Sequence, residues 1–210
     1  MTAMTFHPIR HPLALVNQVN GKLEPTLLKT VGFNEVLFNS AADWFFHLKT
    51  EFETTQHRIL NFTHGGCYRD YVSQRGLFLK RYEKISWLTY KATFGRDKKT
   101  WPAIPKADPN FADNPATTYW RVKVAYYDAA NRPHYFASAA TPGFSNHGLG
   151  LSIDLAIGLP SSPVSVNAAD IEWLTINIGR FGFTYESRVE PWHITYYIAD
   201  DCPPYINEKH

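Results

Sequence analysis

Ser145-Asn-His-Gly-Leu-Gly-Leu-Ser-Ile-Asp-Leu-Ala-Ile157 sets His147 and Asp154 seven residues apart, separates them by glycines and runs into an apolar strand, Leu151 to Ile157. A second stretch, Glu190-Pro-Trp-His-Ile-Thr-Tyr-Tyr-Ile198, puts a carboxylate and another histidine at the head of a further strand, Trp192 to Ile198. Polar, ligand-type side chains therefore sit beside strand sequence, and the helical HExxH pattern is absent. The expectation is a site carried by strands.

Working outward, RILNF (Arg58 to Phe62) is short, partly β-branched and bounded by the turn-like THGG, so it reads as a strand. YWRVKVAYY (Tyr119 to Tyr127) alternates with period two, breaks at DAANRP and resumes in HYFASAA, the pattern of a β-hairpin or meander. Three helices are predicted. Ser40 is expected to cap Ala41 to Gln56, with Ala41, Trp44, Phe45 and Leu48 on one face. Asp70 to Tyr82 places Val72, Leu77, Leu79 and Tyr82 at helical spacing, and Asn167 caps AADIEWLTINIGRFG, which stops near Gly182. Helices before and between a late cluster of strands argue an α+β fold with a small, mainly antiparallel sheet. With no repeat and no long linker, residues 40–210 are expected to form a single domain. Residues 1–39, with prolines and an Asn20 to Lys22 turn, read as an arm packed on it, and an irregular, basic, proline-containing insertion is expected at about 84–118.

The 210 residues are 44% hydrophobic and 19% charged, enough for a core and too little charge for a disordered chain. A net charge of +2 argues against nucleic acid as the main partner. No apolar run approaches the ~18–20 residues of a membrane helix, so no membrane insertion is expected. Cys67 and Cys202 form neither a disulfide framework nor a zinc-finger spacing. His64 and Cys67 lack the surroundings of a cysteine peptidase, and Cys67 reads as a small buried hydrophobe.

His147, Asp154 and His193 supply two imidazoles and a carboxylate, the three ligands a catalytic zinc takes while leaving a fourth position for water. Glu190, three residues before His193, can remove that water's proton without occupying the metal. Singly, each residue reads as structural, a satisfied histidine or a turn carboxylate. Together they reverse the balance, because charged groups beside apolar strands need a partner.

These motifs resemble those of the zinc D-alanyl-D-alanine carboxypeptidases and L-alanyl-D-glutamate endopeptidases that cut peptidoglycan stem peptides. SNHGLGLSID matches their Ser-x-His-x-x-Gly-x-Ala-x-Asp pattern, EPWH their Glu-x-Trp-His pattern, and GGCYRDYVSQ (Gly65 to Gln74) their Gly-Tyr-Arg-Ser-Tyr-x-x-Gln stretch, with Cys67 inserted and Asp70 where Ser or Thr is usual. The similarity spans roughly Arg58 to Ile198. It implies one zinc per chain on His147, Asp154 and His193, with Glu190 as general base. Arg69 would bind a substrate carbonyl or carboxylate and stabilise the developing oxyanion. Ser145 and Tyr68 would touch substrate, and Trp192 would pack so as to orient Glu190 and His193.

The implied partner is bacterial peptidoglycan, and the favoured reading is a phage lysin endopeptidase cutting the L-Ala to D-Glu bond. The alternatives are a D-Ala-D-Ala carboxypeptidase and a non-catalytic, zinc-containing wall-binding or virion structural protein. The opening MTAMTFHPIRHPLALVNQ lacks the pattern of an export leader. The corresponding expectation is synthesis in a host cytoplasm and action at the cell wall, with a virion-associated enzyme as the alternative. Between Arg75 and Lys106 nine Lys or Arg face only Glu83 and Asp97. This excess reads as a solvated helix face running into a basic loop, or as a patch drawing anionic wall polymers.

Overall fold

In the structure, a computed structural model, residues 3–86, 118–137, 139–159 and 162–205 are described. Chain contacts divide it into two compact units, Met1–Asp70 with Asn146–His210, and Tyr71–Ser145.

The first unit contains, in chain order, β1 (Leu28–Gly32), β2 (Glu35–Phe38), α1 (Asn39–Gln56), β3 (Leu60–Phe62), β8 (Ser152–Ile157), α3 (Ala168–Asn177), β9 (Phe183–Tyr185) and β10 (His193–Tyr196). A four-stranded sheet of order β3-β8-β10-β9 is antiparallel throughout, as the pattern predicts. Alternation along β8 and β10 divides their side chains between two faces. Ile153, Leu155, Ile194 and Tyr196 enter the core, each at most 1% exposed. Burying an aliphatic side chain of this size stabilises the fold by roughly 1.5–3 kcal/mol. Ser152, Asp154, His193 and Thr195 take the opposite face.

Helix α1 covers the apolar side through Ala41, Phe45, Leu48 and Phe52, all fully buried. Phe45 meets Phe62 of β3 with ring centroids 5.9 Å apart, and Phe52 meets Trp173 of α3 edge-on at 5.1 Å. Helix α3 begins as its sequence predicts: the Asn167 side chain accepts from Asp170 N–H at 3.0 Å while the Asp170 carboxylate accepts from Asn167 N–H at 2.8 Å. Asp170 also pairs with Arg58, tying this helix to the approach to β3.

Two expectations are corrected here. Helix α1 starts at Asn39, and Ser40 lies within it instead of capping it. Strand β2 passes straight into the helix, and Phe38 occupies the cap position without a side-chain cap bond. Its N–H is held by Gly150 C=O at 2.9 Å. The arm contains the β1–β2 hairpin, an element its sequence does not announce. Arm residues run along the C-terminal strands: Arg10 N–H donates to Tyr197 C=O at 3.1 Å, and His7 stacks on Tyr197 at 4.5 Å.

The second unit holds α2 (Tyr71–Arg81), β4 (Tyr82–Ser86), β5 (Thr118–Val122), β6 (Val124–Tyr127) and β7 (Pro133–Tyr135). The stretch read as one strand, Tyr119 to Tyr127, is divided at Lys123, whose N–H donates to Arg81 C=O at 2.8 Å. Strand β5 pairs with β4, and β6 forms the expected hairpin with β7. The centre of the insertion, residues 87–117, lies outside the described residues, and with it most of the basic cluster. No helix among the described residues is long and apolar enough to cross a membrane.

Candidate active site

Register brings the two motifs together. Pairing of β10 with β8 sets His193 directly opposite Asp154, and His193 Nδ1 lies 2.8 Å from Asp154 Oδ1. His147 reaches the same carboxylate from a 3₁₀ turn, Asn146–Leu149, its Nε2 3.4 Å from Asp154 Oδ2. One ligand atom from each of the three residues lies within 4.8 Å of the others.

The loop carrying His147 is shaped by close backbone approaches. Gly150 adopts φ +67°, and a Cβ there would stand 2.6 Å from Phe38 N. Gly148 C=O accepts from Gly21 N–H at 2.7 Å, so the Asn20 to Lys22 turn of the arm braces this segment. On the other side of Asp154, the turn after β3 fits around its backbone. Thr63 N–H donates to Asp154 C=O at 2.9 Å, and Asp154 N–H donates to Gly66 C=O at 2.7 Å. Glu35, buried at the start of β2, accepts from Gly65 N–H at 2.6 Å and fixes that turn from below.

Each histidine has a partner on its far nitrogen. Cys67 C=O lies 2.8 Å from His147 Nδ1, which assigns the proton to that nitrogen and leaves Nε2 to act as a ligand. His193 Nε2 lies 3.5 Å from Glu186 Oε1. The set of two neutral nitrogens and a carboxylate oxygen, each oriented by an outer partner, fits zinc.

Without a metal the group is an ion cluster. Burial disfavours a charged His193, but hydrogen bonds and charge from Asp154 and Glu186 outweigh it and raise its pKa to about 9. Asp154 is opposed by burial in the same way, yet the two histidines hold it well below the ordinary carboxylate range. The Cys67 thiol is pushed up by burial and by the charges of Glu35 and Asp154, so it stays protonated. With His64 exposed, this argues against a thiolate nucleophile.

Arg69 joins the cluster: its N–H donates to His147 C=O at 3.1 Å and its guanidinium lies 3.6 Å from Asp154 Oδ2. Glu190 is half-buried in the turn before β10, where its C=O accepts from His193 N–H at 3.0 Å. Tyr68 turns its hydroxyl to the arm, accepting from Leu23 N–H at 3.2 Å. Ser145 is buried as the last residue of the second unit. Trp192, expected to pack, is 41% exposed and contributes its C=O to Leu155 N–H at 2.8 Å. Glu186 and the Cys67 carbonyl escape sequence reading, because neither belongs to a motif and one of them is main chain.

A family model described as VanY, D-alanyl-D-alanine carboxypeptidase, matches residues 37–199. A comparison with curated proteins finds no match. Among solved structures, the chain is similar to a glutamate-to-alanine mutant of the vancomycin resistance D,D-pentapeptidase VanY from the VanB-type resistance cassette in complex with Zn(II). That match has 19% identity and a TM-score of 0.47, covering 83% of this chain and 79% of that one. VanYB in complex with D-alanine-D-alanine matches at 17% identity and TM-score 0.47, covering 89% and 81%. The LdcB LD-carboxypeptidase matches at 20% identity and TM-score 0.42, covering 90% and 74%.

Proposed function

This chain belongs to the VanY family of D-alanyl-D-alanine carboxypeptidases and is a peptidoglycan peptidase, and we propose that its reaction is the zinc-dependent removal of a terminal D-alanine from the stem peptide. The observation that carries this reading is the coincidence of the matched region, 37–199, with a His147, Asp154 and His193 cluster of metal-binding geometry.

His147 Nε2, an Asp154 oxygen and His193 Nδ1 would hold the metal. Zinc, when bound, supplies a Lewis acid for the scissile carbonyl and lowers the pKa of its water. Glu190 takes the proton of the attacking water and passes it to the leaving amine, so no covalent intermediate is required. Arg69 offers a rigid, permanently charged fork beside Asp154. Such a fork suits the free carboxylate of a C-terminal residue and the negative charge that develops during attack.

Digestion of defined muropeptides, read by mass spectrometry, tests the proposal. Release of free D-Ala is the expected result. A new amino terminus on D-Glu would instead support the L-Ala to D-Glu endopeptidase, and with it the lysin and virion-associated readings. Zinc-loaded protein that binds walls but cleaves nothing would make it a non-catalytic module.

A further inference from the structure

We propose that Glu186 is a positioning residue for the metal site, holding His193 from the side opposite Asp154. Tyr185 pairs with Ile194, so the next step of the same antiparallel register sets Glu186 against His193. Strand β10 therefore carries its imidazole between carboxylates supplied from both neighbours, Asp154 at Nδ1 (2.8 Å) and Glu186 at Nε2 (3.5 Å). Nδ1 is the nitrogen that faces Asp154. A carboxylate on the far nitrogen keeps the proton there, fixes the ring plane and makes Nδ1 the better donor.

The surroundings of Glu186 are built for this. Its Oε1 accepts from Asn146 Nδ2 at 2.8 Å, from Ser152 Oγ at 3.4 Å and from the Thr195 hydroxyl. Ser152 and Thr195 are themselves fully buried cross-strand partners with hydroxyls 2.6 Å apart, two steps along the ladder from Asp154 and His193 and on the same face. Two buried hydroxyls on the polar face of an otherwise apolar sheet are costly unless satisfied, and Glu186 satisfies them. Asn146 adjoins His147, so the same carboxylate also ties the loop of the first ligand to the strand of the last. With Oε1 engaged in this way, Glu186 is a brace, and the proton-transfer role stays with Glu190.

The inference rests on the zinc site of the proposed function, and its test separates the two. Zinc dissociation constants of wild type, Glu186→Ala, Glu186→Gln and His147→Ala are measured by competition with a chromophoric chelator, alongside visible spectra of the cobalt-substituted proteins and melting curves of the metal-free ones. Glu186→Ala is expected to weaken zinc binding by about 10- to 100-fold and to alter the cobalt spectrum, and Glu186→Gln, which keeps an acceptor, is expected to lie between it and wild type. If Glu186→Ala fails to fold, Glu186→Gln alone decides through its cobalt spectrum. Wild-type affinity and an unchanged spectrum in a folded Glu186 variant would overturn the proposal. Failure of wild type itself to bind zinc more tightly than His147→Ala would instead remove the metal site.

Discussion

Asp154 and His193 are directly opposed residues on β8 and β10, in contact at 2.8 Å. Two of the three side chains that could hold a metal are thereby placed by strand register alone. A slip of one residue would carry one of them to the apolar face and replace it with Ile153 or Ile194.

The purified protein is expected to hold about one zinc per chain, as an open three-ligand site implies. Chelation is expected to abolish activity and added zinc to restore it. His147→Ala and His193→Ala are expected to lose metal and activity together, read by elemental analysis and initial rate on the same preparation. Full activity in chelator would remove the zinc chemistry.

Glu190→Ala is expected to keep its zinc and its melting temperature while losing ~10²- to 10⁴-fold in turnover, the usual contribution of a general base. A purely structural carboxylate beside Pro191 would give the reverse pattern, with lower stability and an unchanged rate per folded molecule.

Arg69→Ala is expected to lower kcat/KM by about 10- to 100-fold on a peptide with a free terminal carboxylate, the equivalent of a charged hydrogen bond worth ~1.5–3 kcal/mol. On the same peptide with that carboxylate amidated, wild type and variant should converge. Equal losses on both peptides would assign Arg69 to bracing the His147 loop.

The metal-free protein has a defined pH signature. Folding raises the pKa of His193 from 6.5 to about 9, so its contribution to stability is complete below pH 6.5 and lost as pH rises through 9. Burial favours protonation of Glu186, but hydrogen bonds from His193 and Thr195 win and lower it from 4.5 to about 2. Its contribution is present above pH 4.5 and fades as pH falls through 2, and Asp154 acts in the same sense. In chelator, the melting temperature is therefore expected to peak between about pH 5 and 6.5 and to drop toward pH 9. Zinc affinity runs the other way and rises across that alkaline range, because the ligand nitrogen must shed its proton. A melting temperature that does not change from pH 6.5 to 9 in chelator would contradict the ion cluster.

Gly66→Ala tests the turn that receives Asp154. A Cβ there would lie 2.6 Å from Thr63 Oγ1 and 2.7 Å from Thr63 C=O. Such overpacking is expected to cost ~1–3 kcal/mol in calorimetry and to weaken zinc binding through the Gly66 C=O that holds Asp154 N–H.

Much of this site is legible in the residues themselves. Ser-Ile-Asp-Leu and His-Ile-Thr-Tyr announce their faces by alternation, and Asn167 with Asp170 announces the start of α3. The β1–β2 hairpin does not, because its turn uses Phe33 and Asn34 at φ 52° and 64°, and a phenylalanine in the left-handed region is not a recognised hairpin signal. Ser40 misleads since a strand entering a helix directly leaves no room for a separate cap. Glu186 is hidden for another reason. Its role comes from the β9–β10 register, and nothing in Tyr-Glu-Ser-Arg states which strand will lie alongside.

Arg10 bridges to Ile198, and its guanidinium reaches Asp201, while β3 is paired, among the described residues, with β8. The earliest segments thus wait for the latest before they can be satisfied. At ribosomal speeds of roughly 5–20 residues per second, Leu60 is made on the order of ten seconds before Asp154, and His193 follows later still. Until His193 has been made, the nascent chain lacks one of the three residues that could hold the metal. A metal site assembled this way stays incomplete until the strand that carries His193 has been delivered.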